Sequence, residues 1–176
     1  MYPVLRLITA SLKAIRQEKL HASDVCENSF ICMPWDMDMF FEMNNGRVLT
    51  LCDVGRFVMT IRIGLAKILR KNKWGVVVAG STVQYRKRIR MFDKVTMRTQ
   101  IETYDDRWVY ITQSMWVGGK PASSVLLRTG VTSKGKVIAT DQVKEALEIQ
   151  DWQPEPSPWV KAWIASESLR PWPPNS

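Results

Sequence analysis

The chain has 176 residues, of which 45% are hydrophobic and 24% charged, a length and composition that suit about one globular domain and exclude a disordered or fibrous chain. Its formal net charge is +8, so an anionic partner is expected: a phosphate-bearing ligand, a membrane surface or nucleic acid. One histidine, His21, and three cysteines without a CxxC spacing argue against zinc, haem, a disulfide framework and His-dependent triads, and suit a reducing, cytoplasmic setting with free thiols and no metal.

Residues 1–20 mix aliphatic positions (Val4, Leu5, Ile8, Leu12, Ile15) with basic ones (Arg6, Lys13, Arg16, Lys19). The charges interrupt any signal-peptide core, and no run approaches the roughly 20 apolar residues that span a bilayer. The segment reads as an amphipathic helix, either packed on the domain or in peripheral contact with an anionic membrane. A polar stretch to Asn28 follows, then a strand over 29–35, which Pro34 closes by removing a ladder donor. Asn44 and Asn45 are good cap residues for a helix over 46–71. Two adjoining stripes, one through Leu51, Val54, Val58 and Ile61 and one through Val48, Cys52, Gly55 and Met59, leave that helix a narrow polar side. Such a helix must be covered almost all round.

The period then changes. Residues 74–91 are rich in β-branched side chains, 95–104 alternate, Asp105-Asp106 is a turn, and 108–117 is a strand. Gly118-Gly119-Lys120-Pro121 reads as a turn and 123–133 as a further strand. Short turns between these segments predict an antiparallel meander. Thr140 reads as the cap of a short helix to Ile149. After the linker 153–158, Ser157-Pro158 opens a last helix carrying Trp159 and Trp163, and 171–176 read as a tail. The expected organisation is a helix and linker over 1–28, a domain over 29–150, and a Pro-rich linker with a short helix and tail over 151–176. A sheet wrapped around one buried helix is an α+β architecture.

The densest polar cluster, Asp36-Met37-Asp38-Met39-Phe40-Phe41-Glu42-Met43-Asn44-Asn45-Gly46-Arg47, lies just ahead of the long helix. A carboxylate there can serve as a nucleophile or as a base for water. The unpaired N–H groups of the helix start, around Asn45 and Gly46, can receive a developing oxyanion, and an Asn44 or Asn45 amide can orient water. By spacing alone, two aspartates before a helix are more often turn and cap chemistry.

The run resembles the 4-hydroxybenzoyl-CoA thioesterase-like hot-dog family, specifically the branch with the signature D-x-D-x-x-x-H-M-N-N before its central helix. Val83-Gln84-Tyr85-Arg86-Lys87-Arg88 followed by Arg90-Met91-Phe92-Asp93 is similar to that family's second-strand signature, and Tyr104-Asp105-Asp106-Arg107-Trp108 to its hairpin. The order agrees over 29–133. The resemblance implies a hot-dog fold, sites formed between two protomers, and Asp38 as the catalytic carboxylate. Two positions depart from the pattern: the family's His falls on Glu42 and a frequent aromatic falls on Val48. Glu42 reads either as a catalytic group or as part of a solvated face, and Asp36 as a residue that holds the loop.

Arg86, Arg88 and Arg90 share one side of a strand by its period of two, and suit either the phosphates of coenzyme A or a solvated face paired with Glu102 or Asp93. Phe40, Phe41, Val48 and Trp74 are candidates for lining an acyl channel. The leading expectation is hydrolysis of an acyl-CoA or acyl-carrier thioester by a homo-oligomer, a dimer or a dimer of dimers, with coenzyme A as part of the substrate and no separate cofactor. The alternative is a non-catalytic acyl-CoA or acyl-group binder, motivated by Glu42. Nucleic-acid binding is not expected, because the basic residues are spread over strands and helix ends instead of forming a recognised module.

Overall fold

The computed structural model describes residues 2–171 and 173–174; Met1 and, from the expected tail, Trp172, Asn175 and Ser176 lie outside the described residues. The elements run α1 (Val4–Arg16), β1 (Cys26–Ile31), a 3-10 turn at Pro34–Asp36, α2 (Asn45–Arg62), α3 (Leu65–Asn72), β2 (Gly75–Tyr85), β3 (Lys94–Tyr104), β4 (Val109–Val117), β5 (Lys120–Ser133), β6 (Lys136–Val137), α4 (Thr140–Leu147) and α5 (Pro158–Ser168). The strands form one antiparallel sheet in the order β1-β3-β4-β5-β2, with β6 attached to β5. It holds α2 against its inner face, the hot-dog arrangement expected.

Period-two alternation places the core. Along β3, Val95, Met97, Thr99 and Ile101 are buried while Arg98 is exposed. Val95 and Met97 meet Val48, Leu51 and Cys52 of α2 together with Met115, Val125 and Leu127 from β4 and β5, while Ile101 packs with Val58 and Met59 of α2. The helix comes nearest the sheet at Gly55, where an added Cβ would lie 2.3 Å from the Met97 sulfur and 2.9 Å from the Gln113 amide nitrogen. Gln113 bridges the two layers there. Its amide donates to the Cys52 carbonyl at 2.9 Å and to the Thr99 hydroxyl at 2.9 Å, and its oxygen accepts from Arg56 at 2.7 Å. Every polar atom of that buried side chain is therefore satisfied, as a low-dielectric core requires.

Several expectations are corrected. The long helix ends at Arg62 instead of running to residue 71, because Gly64 adopts φ +83° and the chain restarts as α3. The first strand occupies 26–31 instead of 29–35, its ladder with β3 starting at the Cys26–Thr99 pair. The meander holds only for β3, β4 and β5; β2 pairs with β5 across the sheet. Gly118 and Gly119 both take positive φ and close a two-residue hairpin, so Lys120 and Pro121 belong to β5. Thr140 lies inside α4, whose cap is Ala139, and its hydroxyl donates to the Asp105 carbonyl. Pro158 does open α5, but the Ser157 hydroxyl donates to Glu102 at 2.7 Å instead of capping the helix.

The N-terminal helix forms as expected but faces the other way from its domain-packed reading. α1 packs through the small side chains of Ala10 and Ala14, while Val4, Leu5, Ile8, Leu12 and Ile15 are exposed. Cys26, Cys32 and Cys52 are buried and unpaired. Burial pushes the Cys32 thiol up to about 11 and the Cys52 thiol up to about 12, so both are protonated core side chains at neutral pH. Among the described residues no helix is long and apolar enough to cross a membrane, and no three metal-ligating side chains cluster.

Candidate functional site

The segment between β1 and α2 is built around Asp36. Its side chain is 1% exposed, and one carboxylate oxygen accepts the Met33 N–H at 2.9 Å. Arg6 of α1 lies 2.7 Å from that oxygen, and Arg47 of α2 lies 3.0 Å from the other. The Arg47 pairing is a charge contact more than an aligned hydrogen bond. The Asp36 carbonyl accepts the Asn44 N–H at 2.9 Å, which closes the segment into a loop and projects residues 38–42 from it.

That projecting turn is organised by Asp38. Its Oδ1 accepts the Phe40 N–H at 2.8 Å and, more loosely, the Glu42 N–H at 3.5 Å, while its own N–H donates to the Glu42 carbonyl at 2.9 Å. Oδ2 has no hydrogen-bond partner among the described residues. Phe41 takes φ +57° at the turn, an unusual conformation for a bulky residue. Met39, Phe40 and Phe41 are all exposed, so an apolar tip stands directly beside a half-buried carboxylate.

The helix start is partly claimed by its own cap. Asn44 Oδ1 accepts the Gly46 N–H at 2.9 Å and the Arg47 N–H at 3.2 Å, the cap geometry expected of Asn. The Asn44 side-chain carbonyl oxygen thus serves as the helix cap, and Gly46 has its donor occupied. The Asn45 N–H donates to no group among the described residues, and the Tyr85 hydroxyl donates to the Asn45 carbonyl at 3.3 Å.

Beside it opens a recess of about 220 Å³ lined by Glu42, Asn45, Val48, Tyr85, Arg86, Lys87, Arg88 and Ser123 among others. Of the sequence-derived residues, the fold gathers Glu42, Asn45, Val48, Arg86 and Arg88 here. Asn44 and Gly46 line a neighbouring recess with Trp35 and Arg47. Asp38, Phe41 and Arg90 line neither.

The cationic wall does not arise as expected. β2 ends at Tyr85, and Arg86, Arg88 and Arg90 stand on an irregular connection instead of alternating along a strand. The Arg86 and Lys87 N–H groups both donate to the Ala122 carbonyl, Ile89 is buried, and its carbonyl accepts the Met43 N–H at 2.9 Å. Arg88 lies 2.8 Å from Glu42, an ion pair between an exposed guanidinium and a half-buried carboxylate. Arg90 lines neither recess, and its backbone N–H donates to Asp93 at 2.8 Å; Glu102, the other expected partner, is engaged by Ser157.

Two features escaped the sequence reading. Ser123 is buried at the recess, and among the described residues its hydroxyl has no hydrogen-bond partner; β5 is buried on both faces over much of its length, so no alternation singled it out. The second is an apolar cavity of about 280 Å³ toward the other end of α2, lined by Phe57, Met59 and Ile63, by Val76 and Val78 of β2, by Ile111, and by Val143 and Leu147 of α4. Phe40, Phe41, Val48 and Trp74 take no part in it.

The model of the thioesterase-like superfamily matches residues 32–164. Protein THEM6 of Xenopus laevis is 33% identical over 138 residues, covering 76% of this chain and 66% of that protein. The chain spans from about two-fifths to just under two-thirds of the curated relatives it matches first. Among solved structures, YbaW, a probable thioesterase from Escherichia coli, superposes with a TM-score of 0.66 at 16% identity, over 71% of this chain and 98% of that one. SAV2348 from Staphylococcus aureus, determined in complex with CoA, gives 0.60 at 11% identity, over 80% and 92%. The likenesses to solved structures establish the fold.

Proposed function

The chain belongs to the thioesterase-like superfamily, and on that premise we propose that it hydrolyses an acyl-CoA or acyl-carrier thioester to the free acid and thiol. The observation that carries this reading is the recess at the start of α2, which Asn45, whose N–H is unclaimed among the described residues, lines together with Arg86, Lys87 and Arg88. The N–H and the positive helix end suit a thioester oxyanion, and the cations suit the phosphates of coenzyme A or of a carrier's phosphopantetheine. Asp38 supplies the carboxylate that attacks the carbonyl or takes a proton from water. Neither route calls for a metal or a separate cofactor.

Asp38 stands outside the recess of its own chain, with an exposed apolar tip beside it. We take this as the mark of a site shared between two copies. The edge strand β2 supports that reading, because Val76, Val77 and Val78 are exposed along an unpaired margin, a template for another strand unless covered. Sedimentation equilibrium at micromolar concentration is expected to return a dimer or larger assembly; a monomer would remove the shared site.

The apolar cavity suggests an extended acyl group. Its first α2 residue, Asp53, lies about 12 Å along the helix from Asn45 at about 1.5 Å per residue. Assay of thiol release from acyl-CoAs of increasing length is expected to show turnover that rises with chain length. No release from any acyl-CoA or acyl-carrier thioester would sink the reading. The second reading, an acyl binder without turnover, is favoured by the capped Gly46 N–H and by Glu42 at the family's His position. Tight acyl-CoA binding without release identifies it.

A further inference from the structure

We propose that α1 is a docking surface for a bilayer carrying anionic phospholipid. At about 3.6 residues per turn, Ala10 and Ala14 share the face turned toward α2, while Val4, Leu5, Ile8, Leu12 and Ile15 form a continuous stripe on the far side. Burial is inverted: the small side chains are packed, and Leu5 and Ile15 are 80% and 67% exposed. Arg16 borders the stripe, Lys13 stands between its edge and the packed face, Lys19 follows the helix, and the helix carries no acidic residue.

The orientation is fixed at both ends. Arg6 donates to the Ile31 carbonyl at 2.8 Å and pairs with Asp36. Beyond the helix, the Glu18 carbonyl accepts from Arg62 at 3.1 and 3.0 Å, and the Leu20 N–H donates to the Arg62 carbonyl at 3.0 Å. A roll that would bury the stripe on the domain has to break these contacts.

Charge selects the occupant. An aliphatic face on a helix whose only charges are cationic matches the boundary between acyl chains and anionic headgroups, where an amphipathic helix buries its apolar side in the interface plane. A second copy apposed through α1 would bring like charges together without an acidic complement on the helix. Arg6 also ties this surface to the Asp36 loop, so a docked α1 holds the candidate site close to the membrane.

The test is co-sedimentation of the full chain with vesicles of phosphatidylcholine alone and of phosphatidylcholine with phosphatidylserine. The expected result is binding to the anionic vesicles and at least tenfold weaker binding to the neutral ones. Leu5→Ser with Leu12→Ser, both at exposed positions, should lower binding at least tenfold. Lys13→Gln with Arg16→Gln should lower it about thirtyfold, from about 1 kcal/mol for each basic residue near an anionic surface. The proposal is overturned if the wild type stays in the supernatant with anionic vesicles. It also fails if the Leu5/Leu12 variant binds as the wild type does, or if that variant instead dissociates a native oligomer, which would make the stripe a protein interface.

Discussion

Asp38→Asn is expected to lower thioester turnover by about 10²- to 10⁴-fold, the usual contribution of a positioned acid or base, while leaving the fold and acyl-CoA binding intact. The choice of Asn follows from the geometry of the turn. Oδ1 of Asp38 already accepts the Phe40 N–H at 2.8 Å, and an Asn side chain makes the same acceptor contact two residues on. The substitution thus removes the charge, and with it the nucleophile or base, without releasing residues 39–42. Asp38→Ala would remove both at once and could not separate chemistry from loop order. Thiol release and a thermal melt on the same samples check the claim. Unchanged turnover in Asp38→Asn would take Asp38 out of the chemistry and leave it as the organiser of its turn. Lost turnover with retained binding would also argue against the pure binder reading, which requires the wild type to turn nothing over.

The parts of this molecule legible in its sequence are those set by periodicity. The double apolar stripe from Val48 to Met59 identifies a helix covered nearly all round, and the sheet and α1 together supply that cover. The alternation of Val95, Met97 and Ile101 against Arg98 gives the inward face of β3. What periodicity could not give was the breaks and the long-range pairings. Gly64 reads as one more helix position until its positive φ is known. The pairing of β2 with β5 joins Gly75 to Thr132, and no local signal encodes it. In the site, the motif located the helix start and the basic segment, which do converge. The division of labour among its residues came from individual hydrogen bonds: Asn44 on the Gly46 N–H, Asp38 on the Phe40 N–H, Asp93 on the Arg90 N–H. The orientation of α1 was not legible for a related reason. Its sequence has two apolar faces, and the one with the larger side chains is not the one that packs.

The largest stability effect is expected at the neighbouring carboxylate. Asp36→Ala should destabilise the chain by about 3–5 kcal/mol, the range for removing one partner of a buried ion pair, and lower the melting temperature by about 10 °C for a domain of this size. Asp36 is the one group that ties three segments together: the Met33 N–H of the approach to α2, Arg6 of α1 and Arg47 at the first turn of α2. Without it, two guanidiniums with side chains only 20% and 14% exposed face each other across an empty carboxylate position. Their mutual repulsion and unmet desolvation make the loss larger than either contact is worth alone. Arg6→Met should cost clearly less, because Asp36 then keeps Arg47 and the Met33 N–H. The two substitutions combined should fall short of the sum of their separate effects, since they share one network. Chemical denaturation of the four proteins of that cycle reads the coupling directly. An Asp36→Ala protein within about 1 kcal/mol of the wild type would mean that the loop, and with it the placement of Asp38, is held by its backbone bonds, chiefly the Asn44 N–H on the Asp36 carbonyl. The expected loss would instead make the fully buried Asp36 the residue that holds the half-buried Asp38 in place.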